Sequence, residues 1–212
     1  MSPRNPLEEL STGVGERSYN SNKKVAIRAL HDAKVLAQIG VGLEGQTKEI
    51  AADCAEVFAM VTDEDPARGN AYFAALLAHL DNKYTRARWE AMHALANIAA
   101  TAPKAAEKEI ARVFDLLMED ESVIVRDHAG RFIGNYGTTS PAAAKRAWPL
   151  LEKALKQGSV KQASKILASM TDIIEAQPAL KAKAGAVATN FVDHEKPSVR
   201  TAARVLLRES GP

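Results

Sequence analysis

Apolar residues recur along this chain at three- and four-residue intervals, in helix-length segments separated by short turn signals. The spacing predicts helices over 23–38, 46–62, 67–80, 83–100, 102–118, 122–136, 141–156, 159–176, 178–192 and 196–209. An apolar stripe of that period covers one side of a helix and leaves the other to solvent. Breaks fall where Gly, Pro, Asp and Asn cluster: Gly40–Gly45, Asp63–Pro66, Asp81–Asn82, Thr101–Pro103, Gly137–Pro141, Gln157–Gly158, Gln177–Pro178 and Asp193–Pro197. Pro opens several segments, where its missing N–H removes no helical hydrogen bond. No alternating apolar–polar run is long enough to predict a strand.

The segments repeat. In "ESVIVRDHAGRFIGNYG", residues 121–137, a Val-Arg pair opens an apolar helix. Aligned on that cation, Lys48, Arg88, Arg126, Lys161 and Arg200 follow one another at intervals of 40, 38, 35 and 39 residues. Three residues later stand Ala51, Ala91, Ala129, Ser164 and Ala203, all small. Six and seven residues later come Cys54–Ala55, Ala94–Leu95, Phe132–Ile133, Leu167–Ala168 and Leu206–Leu207. An acid precedes the cation by seven residues at Asp81, Glu119 and Asp193; the first and fourth units lack one. A period of this length on paired helices predicts a stack, because no single pair can bury its own apolar face.

An acid, Val-Arg, a small residue and an apolar pair, recurring about every 38 residues, resemble the HEAT-repeat family over residues 22–212. "EDESVIVRDHAGRFI" and "DHEKPSVRTAARVLL" match best; the first unit departs most, with Lys48–Glu49 in place of Val-Arg. The resemblance implies an all-α fold, an α-solenoid of about five HEAT-like hairpins. Residues 1–21 form a polar N-terminal tail or cap and 22–212 a single array. It also implies that Asp81, Arg88, Glu119, Arg126, Asp193 and Arg200 form a structural ladder between neighbouring repeats rather than an active site. The function it implies is a non-enzymatic scaffold that takes a protein or peptide on an inner surface lined by the second helices.

Composition sharpens this. Hydrophobic residues make up 46% of the chain but aromatics only 5%, and Ala is abundant, which suits helices packed at short range. The net charge is +2, yet residues 1–120 hold 14 Lys/Arg against 18 Asp/Glu, and residues 121–212 hold 14 against 8. The halves thus carry −4 and +6, a modest asymmetry. The lone Cys54 excludes an internal disulfide and points to a reducing, cytoplasmic setting. No window approaches 18 consecutive apolar residues, so no membrane contact is expected.

Candidate chemistry is sparse. "GVGLEG", Gly40 to Gly45, has the spacing of a dinucleotide loop, but a helix precedes it where a strand is required. Its glycines are expected to loosen a turn between helices. His31, His79, His93, His128 and His194 show no metal-ligand spacing, and no nucleophile elbow is present, so no cofactor, metal or catalytic residue is assigned. Cys54 is expected to be a small buried filler and Trp148 a core residue.

The working surface is sought on the side of each second helix away from the core. From the cation, positions +3, +6, +7 and +10 make the apolar face, and +1, +5 and +8 lie about 180° from it. Those positions hold Glu49 and Asp53, Trp89 and His93, Asp127 and Arg131, then Gln162 and Ser169; Lys165, Arg204 and Arg208 fall near the same line. The expected partner-binding residues are Trp89, His93, Asp127, Arg131, Lys165 and Arg204. An aromatic among polar groups is a typical anchor for a protein partner. The alternative is nucleic-acid binding, by resemblance to HEAT-like alkylpurine DNA glycosylases. Those carry W-x-x-x-D on an inner helix, whereas Trp89 is followed at that spacing by His93 and Trp148 by Glu152.

Overall fold

Several helices begin where the sequence supplies a capping side chain. Asp32 Oδ1 accepts from Lys34 N–H at 2.8 Å, Ser140 Oγ from Ala143 N–H at 3.1 Å, and Ser122 Oγ from Val125 N–H at 3.4 Å. The computed structural model describes residues 5–44, 47–158 and 161–211. Among them are eleven α-helices: α1 (Asn20–His31), α2 (Ala33–Leu43), α3 (Lys48–Glu64), α4 (Phe73–Ala78), α5 (Thr85–Ile98), α6 (Pro103–Glu119), α7 (Val123–Gly137), α8 (Pro141–Gln157), α9 (Ala163–Ala176), α10 (Lys181–Thr189) and α11 (Pro197–Glu209). Short 3₁₀ segments occupy Pro6–Glu9, Pro66–Tyr72, His79–Asp81 and Pro178–Leu180, and no strand occurs among the described residues.

Three local expectations are corrected. The helix predicted over 23–38 is two helices, α1 and α2, because Asp32 takes an extended conformation (φ −129°, ψ 106°) and its side chain caps the second. The segment predicted over 67–80 is mostly 3₁₀, with only a short α4 inside it. Gly40 and Gly42 do not loosen a turn. They lie within α2, where a Cβ would sit 2.3 Å from the Tyr72 ring and 2.5 Å from Cys54 Sγ, so they let neighbours approach. Gly45, the last glycine of that motif, lies outside the described residues.

The chain forms two compact units, Met1–Thr101 and Ala102–Pro212. In the first, α1, α3 and α5 pack side by side, with α2 and α4 behind them. Residues 5–19 pack onto this unit. Leu10 is buried, Ser11 N–H donates to Asn22 Oδ1, and Thr12 N–H donates to Asp53 Oδ2, each at 2.8 Å. Glu9 pairs with Arg28. In the second unit, α7, α9 and α11 pack side by side, and α6, α8 and α10 form the other layer.

Both cores are built from aliphatic and small residues. Ala51, Ala55, Ala87, Ala91 and Ala94 are buried between α3 and α5, which shortens the interhelical distance. Cys54 is fully buried, and loss of hydration pushes its thiol up to about 12, leaving it an inert apolar filler. Trp148 is 2% exposed within α8.

α7 and α9 approach closely at Gly134, where a Cβ would lie 2.5 Å from Ser169 Cβ and 3.3 Å from its Cα. At Gly130, one turn earlier, a Cβ would meet only ordinary contacts at 3.6 and 3.7 Å. Gly134→Ala should therefore destabilise the second unit by about 1–3 kcal/mol through overpacking. Gly130→Ala should stabilise it by up to about 1 kcal/mol through helix propensity. Urea denaturation of the two variants checks both signs.

Candidate functional site

The recurring cations first show what they hold. Arg88 Nη1 donates to Asn82 O at 2.9 Å, Arg126 Nη1 to Asp120 O at 3.0 Å, and Arg200 Nη1 to His194 O at 2.8 Å. In each case the acceptor is the carbonyl six residues before the Arg, in the loop leading into the same helix. Arg200 also reaches Glu195 O at 2.9 Å. The expected bridge from Glu119 to Arg126 and from Asp193 to Arg200 is thus replaced by a loop clamp, with both acids exposed. The physical reason is geometric. The guanidinium folds back along its own first turn, where loop carbonyls point inward and have no helical N–H to accept from. Arg88 is 8% exposed and Asp81 lies on the surface.

In the first unit, the face of α1, α3 and α5 carries a chain of polar contacts. Arg86 Nη2 lies 2.7 Å from Asp53 Oδ1 and 2.6 Å from Glu56 Oε2, and Asn22 donates to the same Glu56 oxygen at 2.6 Å. Burial works to lower the Arg86 pKa, but the bonds and charges of Asp53 and Glu56 raise it overall, so the cation is held. Asp53 was expected on the outward stripe; it is 0% exposed. The strap around Thr12 and the side chain of Arg86 cover it, which the α3 sequence alone does not reveal.

Trp89 and His93 are both half-buried on α5. Trp89 Nε1 donates to Glu90 Oε1 at 2.7 Å, and burial raises the Glu90 pKa. His93 Nε2 donates to Asp63 Oδ1 at 2.9 Å, and Asn97 donates to the same oxygen at 2.9 Å. Asp63 also lines a pocket of about 250 Å³ between α1 and α3, with Tyr19, Ile27 and Met60. Sequence reading missed these residues, because the first half of the predicted helix 23–38 actually belongs with the second helices.

In the second unit, Asp127, Arg131 and Lys165 line one cavity of about 320 Å³ between α7 and α9, together with Ile124, Ser169 and Asp172. The buried Gln162 donates to Asp127 Oδ1 at 3.4 Å. Burial raises the Asp127 carboxyl, opposed by that bond and by Lys165; burial and the charge of Glu175 raise Asp172. Of the expected outward or groove-facing positions, Gln162 is buried, while Ser169, also largely covered, stands at the wall of this cavity. Second helices pack laterally, so part of the side opposite the core is the contact with α7. Arg204 is exposed on α11, outside this cavity, and Arg208 pairs with Glu209 at 2.8 Å. Asp172 follows Ser169 by three positions on α9; the repeat spacing alone could have found it.

The cavity sets two carboxylates and two cations around an apolar wall, an arrangement for orienting a charged or polar group. Among the described residues, no three His, Cys, Asp or Glu side chains converge where they could hold a metal ion.

No protein-family model matches the chain, and neither does any curated protein. Solved structures do. A designed armadillo repeat protein in complex with the peptide (KR)4 aligns over 99% of this chain and 100% of its own, with a TM-score of 0.69 at 16% identity. An archaeal HEAT-like repeats protein from Thermococcus onnurineus NA1 aligns over 99% and 98%, with a TM-score of 0.57 at 13% identity. An engineered protein gives 0.66 at 19% identity, over 98% and 97%. The chain therefore has a HEAT/armadillo-like repeat fold, an all-α solenoid built of stacked helical hairpins.

Three outcomes follow from this geometry. Arg126→Ala and Arg200→Ala should each cost about 1–2 kcal/mol by leaving loop carbonyls without a donor. Glu119→Gln and Asp193→Asn should leave the thermal melt nearly unchanged. For Glu90 the raised carboxyl sets the sign: the folded state binds its proton more readily than the unfolded chain, so stability falls as pH rises from the ordinary carboxylate range through the folded value. Glu90→Gln, which keeps an acceptor for Trp89, should be more stable than the parent at neutral pH. The gap should close as the pH falls below that range, as followed by melts across a pH series.

Proposed function

We propose that the protein is a non-enzymatic interaction scaffold that takes a protein or peptide partner on its second-helix layer. The observation that carries this is the convergence of Asp127, Arg131 and Lys165, spaced along two repeats in sequence, around one cavity. Charged groups held at fixed spacing on rigid helices lose little entropy on binding, and they orient a partner more than they attract it. The likeness to a designed armadillo repeat protein that holds the peptide (KR)4 supports a peptide-sized ligand. Trp89 and His93 on the first unit, and Arg204 on α11, extend the reading as further contacts. A cytoplasmic setting fits the buried free thiol of Cys54, and no described helix is long and apolar enough to cross a membrane. Nucleic acid is not favoured: Trp148 is buried, Lys165 shares its cavity with Asp127 and Asp172, and Arg208 is paired.

A random-peptide display selection against the whole chain tests the reading. A peptide consensus should be enriched, and Lys165→Glu, on an exposed side chain, should weaken the selected peptides about tenfold or reverse their charge preference. Enrichment of no consensus, or binding indifferent to both Lys165→Glu and Arg131→Ala, overturns it.

A further inference from the structure

The cavity between α7 and α9 is ringed by charged side chains, Asp127, Arg131, Lys165 and Asp172. The pocket between α1 and α3 in the first unit is of another kind. Its walls are Ala26, Ile27, Leu30 and Met60, and its charges stand at the ends: Lys23 at one, Asp63 and Glu64 at the other. Two large apolar side chains on it face solvent, Tyr19 at 57% and Ile27 at 51% exposure. Such residues are usually covered when they cluster, and here they lie along one side of α1.

The helices run alongside each other in the same sense. Asn22 near the start of α1 bonds Glu56 of α3, and Leu30 near its end shares the pocket with Glu64. From Tyr19 to Leu30 the apolar strip extends about 16 Å at helical rise, three turns of a partner helix.

The wall chemistry selects the occupant. No backbone edge is offered here, since α1 and α3 satisfy their own amides, and the floor is hydrocarbon. An extended peptide laid on it would lose water from its own N–H and C=O groups and find no partners. A helix carries its backbone bonds with it. The charges fix the direction: Glu64 forms no ion pair among the described residues and adds to the negative charge of Asp63, while Lys23 stands at the far end.

We infer that the α1–α3 groove is a docking site for an amphipathic helix of a protein partner. That helix presents aliphatic or aromatic side chains at i, i+4 and i+7, a Lys or Arg over Asp63 and Glu64, and an acid over Lys23. The site deepens the scaffold reading and rests on it, but it uses none of the residues of the α7–α9 cavity.

The test uses the whole chain and a fluorescein-labelled, lactam-stabilised helical peptide of about 18 residues with Leu at i, i+4 and i+7, Arg at one end and Glu at the other. Fluorescence anisotropy should show saturable binding, absent for a peptide of the same composition with the leucines dispersed around the helix. Ile27→Asp, on an exposed position, should weaken it by about tenfold or more. Glu64→Lys should weaken it as well and recover binding when the peptide's end charges are exchanged. Lys165→Glu, in the other cavity, should leave it unchanged. Parental melting curves confirm that the variants fold.

Failure to bind, or binding indifferent to Ile27→Asp and Glu64→Lys, overturns the inference. Loss only with Lys165→Glu also overturns it, while leaving the scaffold reading intact. If sedimentation shows a self-associated chain that Ile27→Asp makes monomeric, the groove is a contact between copies and the inference falls.

Discussion

The constraint on which the structure depends is the lateral packing of second helices through small residues. A helical pair of this length has an apolar face it cannot cover alone, and stability comes when the neighbour's face is laid against it. Ala residues between α3 and α5 and Gly134 against Ser169 bring the helix backbones close enough for that contact to be continuous. The same closeness explains the polar groups found inside. Asp53, Gln162 and Ser169 lie where a helix considered alone would place solvent, and the neighbouring helix or the N-terminal strap covers them. Two of them are then held by hydrogen bonds: Asp53 by Thr12 and Arg86, Gln162 by Asp127.

The repeated arginines solve a problem that close packing creates. Loops entering the second helices leave carbonyls that the helix cannot satisfy, and a long side chain with several donors can fold back onto them. Arg88, Arg126 and Arg200 do this at one spacing, which accounts for their recurrence without calling on catalysis. The first repeat carries Lys48 at that place, and its helix is capped instead by Thr47, whose Oγ1 accepts from Ile50 N–H at 3.3 Å.

Each unit exposes a different kind of groove. Between α7 and α9, charged side chains from adjacent repeats surround a cavity, and burial holds the Asp127 and Asp172 carboxyls above their ordinary range. Between α1 and α3 the walls are hydrocarbon with charges only at the ends. The first suits a polar or charged group fixed in orientation, the second a surface that arrives with its own backbone bonds made.

The sequence by itself determined the fold class, the helix register in the central and C-terminal repeats, and the burial of Cys54 and Trp148. All of these follow from local periodicity, caps and prolines, which act within one or two turns. Helical phase also put Asp127 and Arg131 on the side of α7 away from its apolar face, with Lys165 near the same line on α9. Tertiary structure decided which of the outward positions remain outward. Asp53 and Gln162 share the same helical phase as His93 and Asp127, yet they are buried, because exposure depends on what the neighbouring helix and the N-terminal strap cover. It also decided the division at Asp32, which sends α1 into the second-helix layer and creates the groove with Tyr19, Ile27 and Met60. A helical pattern that stays in phase across a cap looks continuous in one dimension; only the extended φ and ψ of one residue turn it into two helices in two layers.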